Sequence, residues 1–192
     1  MILDYLNNNE KELIKYLDVS DNKVLFHEDD KCLCVGIVVK GQVKISTFLN
    51  NGNEVIYNTL NVDQMFGNNL IFSNQPYYRG DVKADKGSRI ALIYKDDLIK
   101  ILKSNEEFLF AYLNIQSEFT KTLNSNIKLL SIANAKERLI YYLHINNNKI
   151  EFKTISELAK NLYLERETLS RTISKMIKDK LIYRDNNKIG LL

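Results

Sequence analysis

Residues 154–178 read TISELAKNLYLERETLSRTISKMIK, and their periodicity decides the architecture of the carboxy-terminal part of the chain. The opening TISE is typical of a capping box, in which a threonine hydroxyl and a glutamate carboxylate bind unpaired amides at the start of a helix. The stretch predicts a first helix from Ile155 that breaks at Tyr163-Leu164, and a second from about Glu165 to Lys178. Two short helices joined by a tight turn indicate a helix-turn-helix.

The second helix of this pair has an apolar face and a polar face. Its apolar residues Leu169, Ile173, Met176 and Ile177 recur at helical spacing and predict the buried stripe. The remaining polar residues face solvent and are the candidate DNA-binding residues: Arg166, Glu167, Thr168, Ser170, Arg171 and Lys175.

The chemistry of this polar face suits base reading in the major groove. Arginine offers two parallel donors to guanine, glutamate accepts from the cytosine amino group, and serine or threonine binds phosphate or base. An ordinary solvent-exposed helix is the alternative, because Glu167 and Arg171 are spaced as an i,i+4 ion pair.

The formal net charge of +3 is unevenly distributed along the 192 residues. Residues 132–192 hold 12 Lys or Arg against 7 Asp or Glu, whereas residues 1–131 hold 15 against 17. A basic segment beside a mildly acidic one fits a polyanionic partner such as double-stranded DNA, although a solvated basic face has the same composition.

The amino-terminal part reads as a short amphipathic helix within Asp4–Leu17 followed by short strands rich in β-branched and aromatic residues. Turn signals at residues 40–41, 50–53 and 86–88 separate the strands. The predicted strands are residues 24–26, 34–39, 43–48, 55–60 and 89–94. Short strands at this spacing predict an antiparallel barrel or sandwich.

Residues 96–130 contain no glycine or proline and predict one long helix. Seven of its residues follow alternating steps of three and four, the narrow seam of a coiled coil. They are Leu109, Tyr112, Gln116, Phe119, Leu123, Asn126 and Leu130. This pattern favours a homodimer whose polar seam positions fix the register, while packing of the helix on its own barrel is the alternative.

Several classes of protein and site are not expected from this sequence. It holds no nucleophile motif, P-loop or dinucleotide fingerprint, so we expect no enzyme. Its longest apolar runs are too short for a membrane span, and the start of the chain does not resemble a secretory signal, so we expect a cytoplasmic protein. Cys32 and Cys34 are expected to be free structural thiols. A redox switch, or a metal site that includes His27, is the alternative, although two thiols and one imidazole are too few for a zinc site. No metal or other cofactor is expected.

Several short motifs together resemble the cyclic-AMP receptor protein and FNR (Crp/Fnr) family of bacterial transcription regulators. They are ERETLSR at residues 165–171, KDKLI at 178–182, VKGQVKI at 39–45, NGNE at 51–54, MFG at 65–67 and AKERL at 135–139. The resemblance extends along nearly the whole chain. One departure is Tyr163, which stands where the family often has a turn glycine.

The resemblance implies an α+β fold in three parts. These are an amino-terminal β-roll like a cyclic-nucleotide-binding jelly roll (residues 1–104), a dimerisation helix (105–131) and a winged helix-turn-helix (132–192). It implies that Arg166, Glu167, Ser170 and Arg171 match base-reading positions, and that the DNA site is an inverted repeat with a TGA-like core. RNA polymerase and a small-molecule effector of unknown identity are further expected partners. The competing function is a β-roll sensor module that acts through a protein partner without specific DNA binding.

The family's effector pocket uses a Gly-Glu-Leu segment for the ribose and an Arg-Ser pair for the phosphate. The matching positions here are Gly67-Asn68-Asn69 and Tyr78-Arg79. The glutamate is absent and the arginine is displaced by one residue, which in a strand turns it to the opposite face. We therefore predict that any effector occupying this region is not a cyclic nucleotide, because the anion would lack its charge-assisted partner.

Overall fold

The computed structural model describes residues 1–192, and its internal contacts separate Met1–Ser117 from Glu118–Leu192 as two units. The division falls inside one long helix, α3 (Glu106–Ser131), so each unit includes part of the helix that we predicted as a segment of its own. No helix of the chain combines the length and the apolar content needed to cross a lipid bilayer.

The first unit is built mainly from strands. A 3-10 turn at Ile2–Tyr5 precedes them. Its labelled elements are α1 (Asn8–Lys11), β1 (Lys15–Asp18), β2 (Lys23–Phe26), β3 (Cys34–Lys40), β4 (Val43–Phe48), β5 (Glu54–Leu60), β6 (Met65–Phe66), β7 (Asp81–Ala84), β8 (Arg89–Tyr94) and α2 (Lys95–Ser104).

These strands form two four-stranded antiparallel sheets, ordered β1-β8-β3-β6 and β2-β7-β4-β5. The predicted β-roll is confirmed, and the predicted strands at residues 43–48 and 89–94 match β4 and β8 at both ends. Three strands, β1, β6 and β7, were missed. They are two to four residues long, and β1 and β7 carry charged residues, so only pairing with distant strands holds them extended.

The predicted helix within Asp4–Leu17 is wrong over most of its length. The Asn7 Oδ1 atom accepts from the Glu10 amide, and the Glu10 carboxylate accepts from the Asn7 amide, both at 3.0 Å, so this reciprocal cap begins a helix only at Asn8. This stabilises only the short α1, after which the chain turns and β1 pairs with β8. Long-range pairing therefore overrides the helical periodicity.

The predicted long helix is interrupted at Asn105. Its backbone is extended, and its side chain donates to the Tyr5 carbonyl at 2.9 Å and to the Glu10 carboxylate at 2.8 Å. The Asn105 Oδ1 atom accepts from the Phe108 amide at 2.9 Å, which caps the start of α3. One asparagine thus ends α2, begins α3 and fixes the amino-terminal segment.

The second unit continues α3 into a helical domain with a small sheet. Its further elements are α4 (Ala135–Ile145), β9 (Lys149–Glu151), α5 (Ile155–Asn161), α6 (Arg166–Lys178), β10 (Ile182–Asp185) and β11 (Lys188–Leu191). The strands form an antiparallel sheet in the order β10-β11-β9. Its core is apolar and closely packed, with Leu139, Leu158, Leu169 and Ile173 almost fully buried. This is the winged helix-turn-helix arrangement that the sequence predicts.

Candidate nucleic-acid interface

The helix α5 begins where the capping pattern predicts. The Thr154 hydroxyl accepts from the Glu157 amide at 3.1 Å, so α5 starts at Ile155. The Glu157 carboxylate, however, accepts from the amide of Lys153 at 2.9 Å, not from that of Thr154. The cap is therefore formed, with its return bond one residue further back than a capping box requires.

The turn between α5 and α6 is closed by backbone hydrogen bonds. The amide of Tyr163 donates to the Lys160 carbonyl at 3.0 Å, and the amide of Leu164 donates to the Ala159 carbonyl at 2.9 Å. Tyr163 has a φ of 52°, in the left-handed region that favours glycine. The turn thus needs a left-handed residue at the position where the family often has glycine, and a tyrosine occupies it.

The helix α6 presents its predicted polar face to solvent. Leu169, Ile173 and Met176 are buried as predicted, whereas Ile177, the fourth residue of the predicted stripe, is 40% exposed. All six candidate DNA-binding residues are exposed: Arg166, Glu167, Thr168, Ser170, Arg171 and Lys175. Five of the six lie in the first two turns of the helix, at its partially positive amino-terminal end, which favours anions.

Glu167 and Arg171 form the i,i+4 ion pair that the alternative interpretation anticipated. The Arg171 Nη2 atom donates to the Glu167 carboxylate at 3.0 Å, and both side chains are 82% exposed. A pair this exposed contributes little stability but holds both groups on the same side of the helix. With Glu165, Arg166 and Thr168 they line a surface depression at the start of α6.

A buried arginine lies behind this surface. Arg138 in α4 is 9% exposed, and its guanidinium donates to the carbonyl of Ile132, from Nε at 2.8 Å and from Nη2 at 2.5 Å. Its Nη1 atom donates to the carbonyls of Leu162 at 3.2 Å and Tyr163 at 2.8 Å. Sequence reasoning assigned this residue no role. The available signal was an arginine directly beside Leu139 in the AKERL motif at residues 135–139.

The segment matched to the family's ribose site is tied to α3 inside the first unit. The Asn68 side chain donates to the Gln116 side chain at 3.1 Å, and Gln116 donates back to the Asn68 carbonyl at 2.9 Å. The hydroxyl of Tyr112 donates to the same carbonyl at 3.2 Å. Asn68 is buried, whereas the side chain of Asn69 is exposed. The side-chain amide and the carbonyl of Asn68 are therefore engaged within the chain.

Gly67 lies at a close approach in the same region. Its φ is +77°, and a Cβ atom added there would lie 2.7 Å from the Cys34 carbonyl and 3.1 Å from the Cys32 sulfur. The Tyr78 hydroxyl would be 3.4 Å away. The structure thus brings Gly67, Asn68 and Tyr78 together, while Asn69 and Arg79 turn outwards.

Tyr78 and Arg79 occupy opposite environments. Tyr78 is 2% exposed and stacks on Phe26 with ring centroids 4.8 Å apart, and burial raises the pKa of its hydroxyl. The side chain of Arg79 is exposed, and its carbonyl accepts from the Tyr57 hydroxyl at 2.9 Å. The neutral side chain of Tyr78 therefore lies in the interior, and the charged side chain of Arg79 lies on the surface.

Cys32 and Cys34 are buried free thiols. The Cys32 sulfur donates to the carbonyls of Cys34 at 3.4 Å and Gly67 at 3.6 Å. Burial raises the pKa of both thiols, that of Cys34 to about 11, so both are protonated near neutral pH. His27 is exposed and lies 3.5 Å from Asp81, and it forms no metal-binding cluster with the thiols. The cysteines therefore have the packing role of small apolar residues.

The predicted dimer seam on α3 needs correction at Tyr112. That residue belongs to the β-roll core and is 4% exposed, and Gln116 is engaged with Asn68. Of the other predicted positions, Phe119, Leu123 and Leu130 are exposed and Leu109 and Asn126 are half-buried. The heptad that includes most of the exposed aliphatic residues runs through Leu109, Leu113, Gln116, Thr120, Leu123, Ile127 and Leu130.

The chain thus consists of a β-roll, a long helix and a helix-turn-helix with a small sheet, and this arrangement was compared with known proteins. Residues 17–105 match the family model described as the cyclic nucleotide-binding domain. No curated protein matches the sequence significantly.

Among solved structures, the catabolite activator protein of Thermus thermophilus is 15% identical, with 100% of this chain and 93% of that chain covered and a TM-score of 0.57. A CooA mutant from Carboxydothermus hydrogenoformans is 16% identical over 99% and 89%, with a TM-score of 0.66. FixK2 of Bradyrhizobium japonicum is 17% identical over 93% and 92%, with a TM-score of 0.55. At these identities the solved structures establish the fold, which is the fold that the resemblance to the Crp/Fnr family implies.

Proposed function

We propose that this chain is a DNA-binding transcription regulator that acts as a homodimer on an inverted-repeat site. The observation that carries the proposal is the exposed amino-terminal face of α6, where Arg166, Glu167, Ser170 and Arg171 project from the second helix of a helix-turn-helix. In proteins with this motif, that part of the second helix enters the major groove most deeply.

Each side chain of this face has a role that its chemistry supports. Arg166 and Arg171 donate to guanine O6 and N7, and Glu167 accepts from the cytosine amino group. The ion pair between Glu167 and Arg171 orients both groups before DNA binds. Thr168, Ser170 and Lys175 bind phosphates or base edges at the rim of the groove. The resemblance to the Crp/Fnr family supports a TGA-like core in each half-site.

The homodimer forms along α3. Leu113, Leu123, Ile127 and Leu130 are exposed at heptad spacing, and two copies of such a stripe bury each other in a coiled coil. An isologous contact of this kind gives a two-fold axis, which an inverted repeat matches. Half-site centres one helical turn apart, about 34–36 Å, suit such a dimer.

The amino-terminal unit senses a small molecule that is not a cyclic nucleotide. The cyclic nucleotide-binding domain match supports a sensor, whereas the satisfied Asn68 and the buried Tyr78 do not suit a cyclic phosphate. RNA polymerase is the proposed protein partner of the DNA-bound dimer.

Selection of bound duplexes from a random DNA pool at fixed salt tests the function. We expect enrichment of an inverted repeat with a TGA-like core, and an affinity for it that falls steeply as salt rises, because lysine and arginine release counterions from phosphates. A β-roll sensor that acts only through a protein partner predicts no enrichment and no salt-dependent affinity. That result, obtained with cell extract added to supply an effector, would reject the proposal.

A further inference from the structure

The guanidinium of Arg138 joins two places that are far apart in sequence but adjacent in the second unit. One is Ile132, in the short segment between α3 and α4, whose carbonyl receives two hydrogen bonds. The other is the turn between α5 and α6, where Leu162 and Tyr163 each contribute a carbonyl. The arginine therefore spans from the end of α3 to the residues that precede the reading helix.

The environment of this side chain is unusual for a charged group. Arg138 is buried, and no carboxylate lies within 4.0 Å of its guanidinium, so its partners are backbone carbonyls alone. Burying an arginine is unfavourable unless its donors are satisfied. Four hydrogen bonds to three carbonyls provide that satisfaction, and they also occupy acceptors at the end of α5.

The planar fork of arginine suits this task better than a lysine. Nε and Nη2 both face Ile132, while Nη1 faces the turn, so one rigid group holds two backbone segments at a fixed separation. A lysine ammonium is a single point that cannot bind both places in this geometry. The bond to Tyr163 also holds the residue whose backbone is left-handed.

We infer that Arg138 is a positioning residue for DNA reading, which fixes the orientation of α6 relative to the end of α3. This inference rests on the proposed function. In a dimer joined along α3, the orientation of each α6 relative to α3 sets the distance between the two reading helices. Arg138 therefore determines which spacing between half-sites the dimer accepts, without contacting DNA.

The test compares Arg138→Met and Arg138→Lys with the unchanged protein. Arg89→Met in β8 is the matched control, because Arg89 is an exposed arginine of the first unit. Affinity is measured for the selected operator and for versions with one base pair added or removed between the half-sites. We expect the preference of Arg138→Met for the natural spacing to fall about tenfold, equivalent to 1.4 kcal/mol. We expect Arg138→Lys to fall between, and Arg89→Met to match the unchanged protein.

Equal loss of affinity on all spacings would overturn the inference, because it would mean that Arg138 contributes only to folding. An unchanged preference in both Arg138 variants would overturn it as well. Failure of the unchanged protein to bind any duplex would instead reject the proposed function.

Hydrogen exchange decides the structural part of the inference without DNA, and Arg138→Lys serves if Arg138→Met does not fold. The amides of Ile132, Tyr163 and Leu164 are hydrogen-bonded in the unchanged protein. We expect all three to exchange at least about tenfold faster in the variant, while amides of β3 keep their rates. Unchanged exchange at either Ile132 or Tyr163 would show that the arginine does not tie the two segments together.

Discussion

The face of α6 and the interior of the β-roll both carry polar residues at family-matched positions, but the chain uses them in opposite ways. On α6 the polar side chains project into solvent, and the one ion pair among them is exposed. In the β-roll, Asn68 is bound to Gln116 and Tyr78 is stacked on Phe26. The first surface is available to a partner, whereas in the second region the polar groups of Asn68 are already hydrogen-bonded within the chain.

A helix face and a pocket inside a β-roll depend on local sequence to different degrees. A helix face is exposed when its opposite face is buried, so the exposed residues of α6 follow from the burial of Leu169, Ile173 and Met176. A pocket inside a β-roll depends on which distant side chains enter it. Here α3 contributes Tyr112 and Gln116, which occupy the hydrogen-bonding groups of Asn68.

The largest expected effect is on stability and comes from a substitution in the tightly packed region around Gly67. Gly67→Ala combines a left-handed backbone with a Cβ atom 2.7 Å from the Cys34 carbonyl, so we expect a loss of about 3 kcal/mol in the free energy of unfolding. Denaturant unfolding measures the loss. Gly87→Ala is the control, because Gly87 has a φ of +79° and nothing within 4 Å of an added Cβ, and should lose only about 1 kcal/mol. Equal losses would mean that the region around Gly67 is open.

The next largest expected effect is on DNA affinity and concerns the exposed face of α6. Arg171→Ala should cost about 1–3 kcal/mol on the selected operator and relax base preference at one position, because a bidentate contact to guanine is lost. Lys175→Ala, one turn further along α6, should weaken all sequences similarly. Titration of the operator and single-base variants checks both. Equal losses from both substitutions on every sequence would reject direct base reading by Arg171.

The exposed heptad face of α3 predicts where the proposed dimer can be broken. Ile127→Glu places a charge at an exposed heptad position, and we expect it to weaken dimerisation about thirtyfold, roughly 2 kcal/mol, because the carboxylate loses water without gaining a partner. Sedimentation over a concentration series measures the dimer dissociation constant. Thr122→Glu, on the opposite side of α3, should leave it unchanged. The seam is wrong if Thr122→Glu dissociates the dimer and Ile127→Glu does not.

The left-handed turn residue predicts a smaller effect of opposite sign. Tyr163→Gly removes the steric penalty at a φ of 52°, and we expect the second unit to gain about 0.5–1 kcal/mol after the greater flexibility of the unfolded glycine is included. Thermal unfolding of the variant measures the gain. A loss of stability would mean that contacts of the half-exposed tyrosine ring outweigh the backbone penalty.

The sequence predicted the architecture and the exposed face of α6 well, because both depend on local periodicity. It failed where distant residues decide the outcome. The strand β7, with Asp81 and Lys83, is extended only because β2 and β4 flank it. Tyr112 fits a coiled-coil seam as well as its neighbour Leu113 does, and only the carbonyl of Asn68, 44 residues away, settles its direction. Arg138 has partners 24 and 25 residues away, which no spacing rule identifies.

The last prediction is that cyclic nucleotides do not bind in the β-roll region around Asn68 and Tyr78. The buried polar residues of the first unit are Glu10, Ser46, Asn68 and Ser88, none of which is a cation. A cyclic phosphate that entered beside Tyr78 would lose water without a charge-assisted partner, because the nearest arginine in sequence, Arg79, is exposed. Calorimetric titration with cyclic AMP and cyclic GMP should therefore give no binding at low micromolar concentration. A dissociation constant in that range for either nucleotide would mean that Asn68 and Tyr78 rearrange on binding, and that the two regions differ less than this structure indicates.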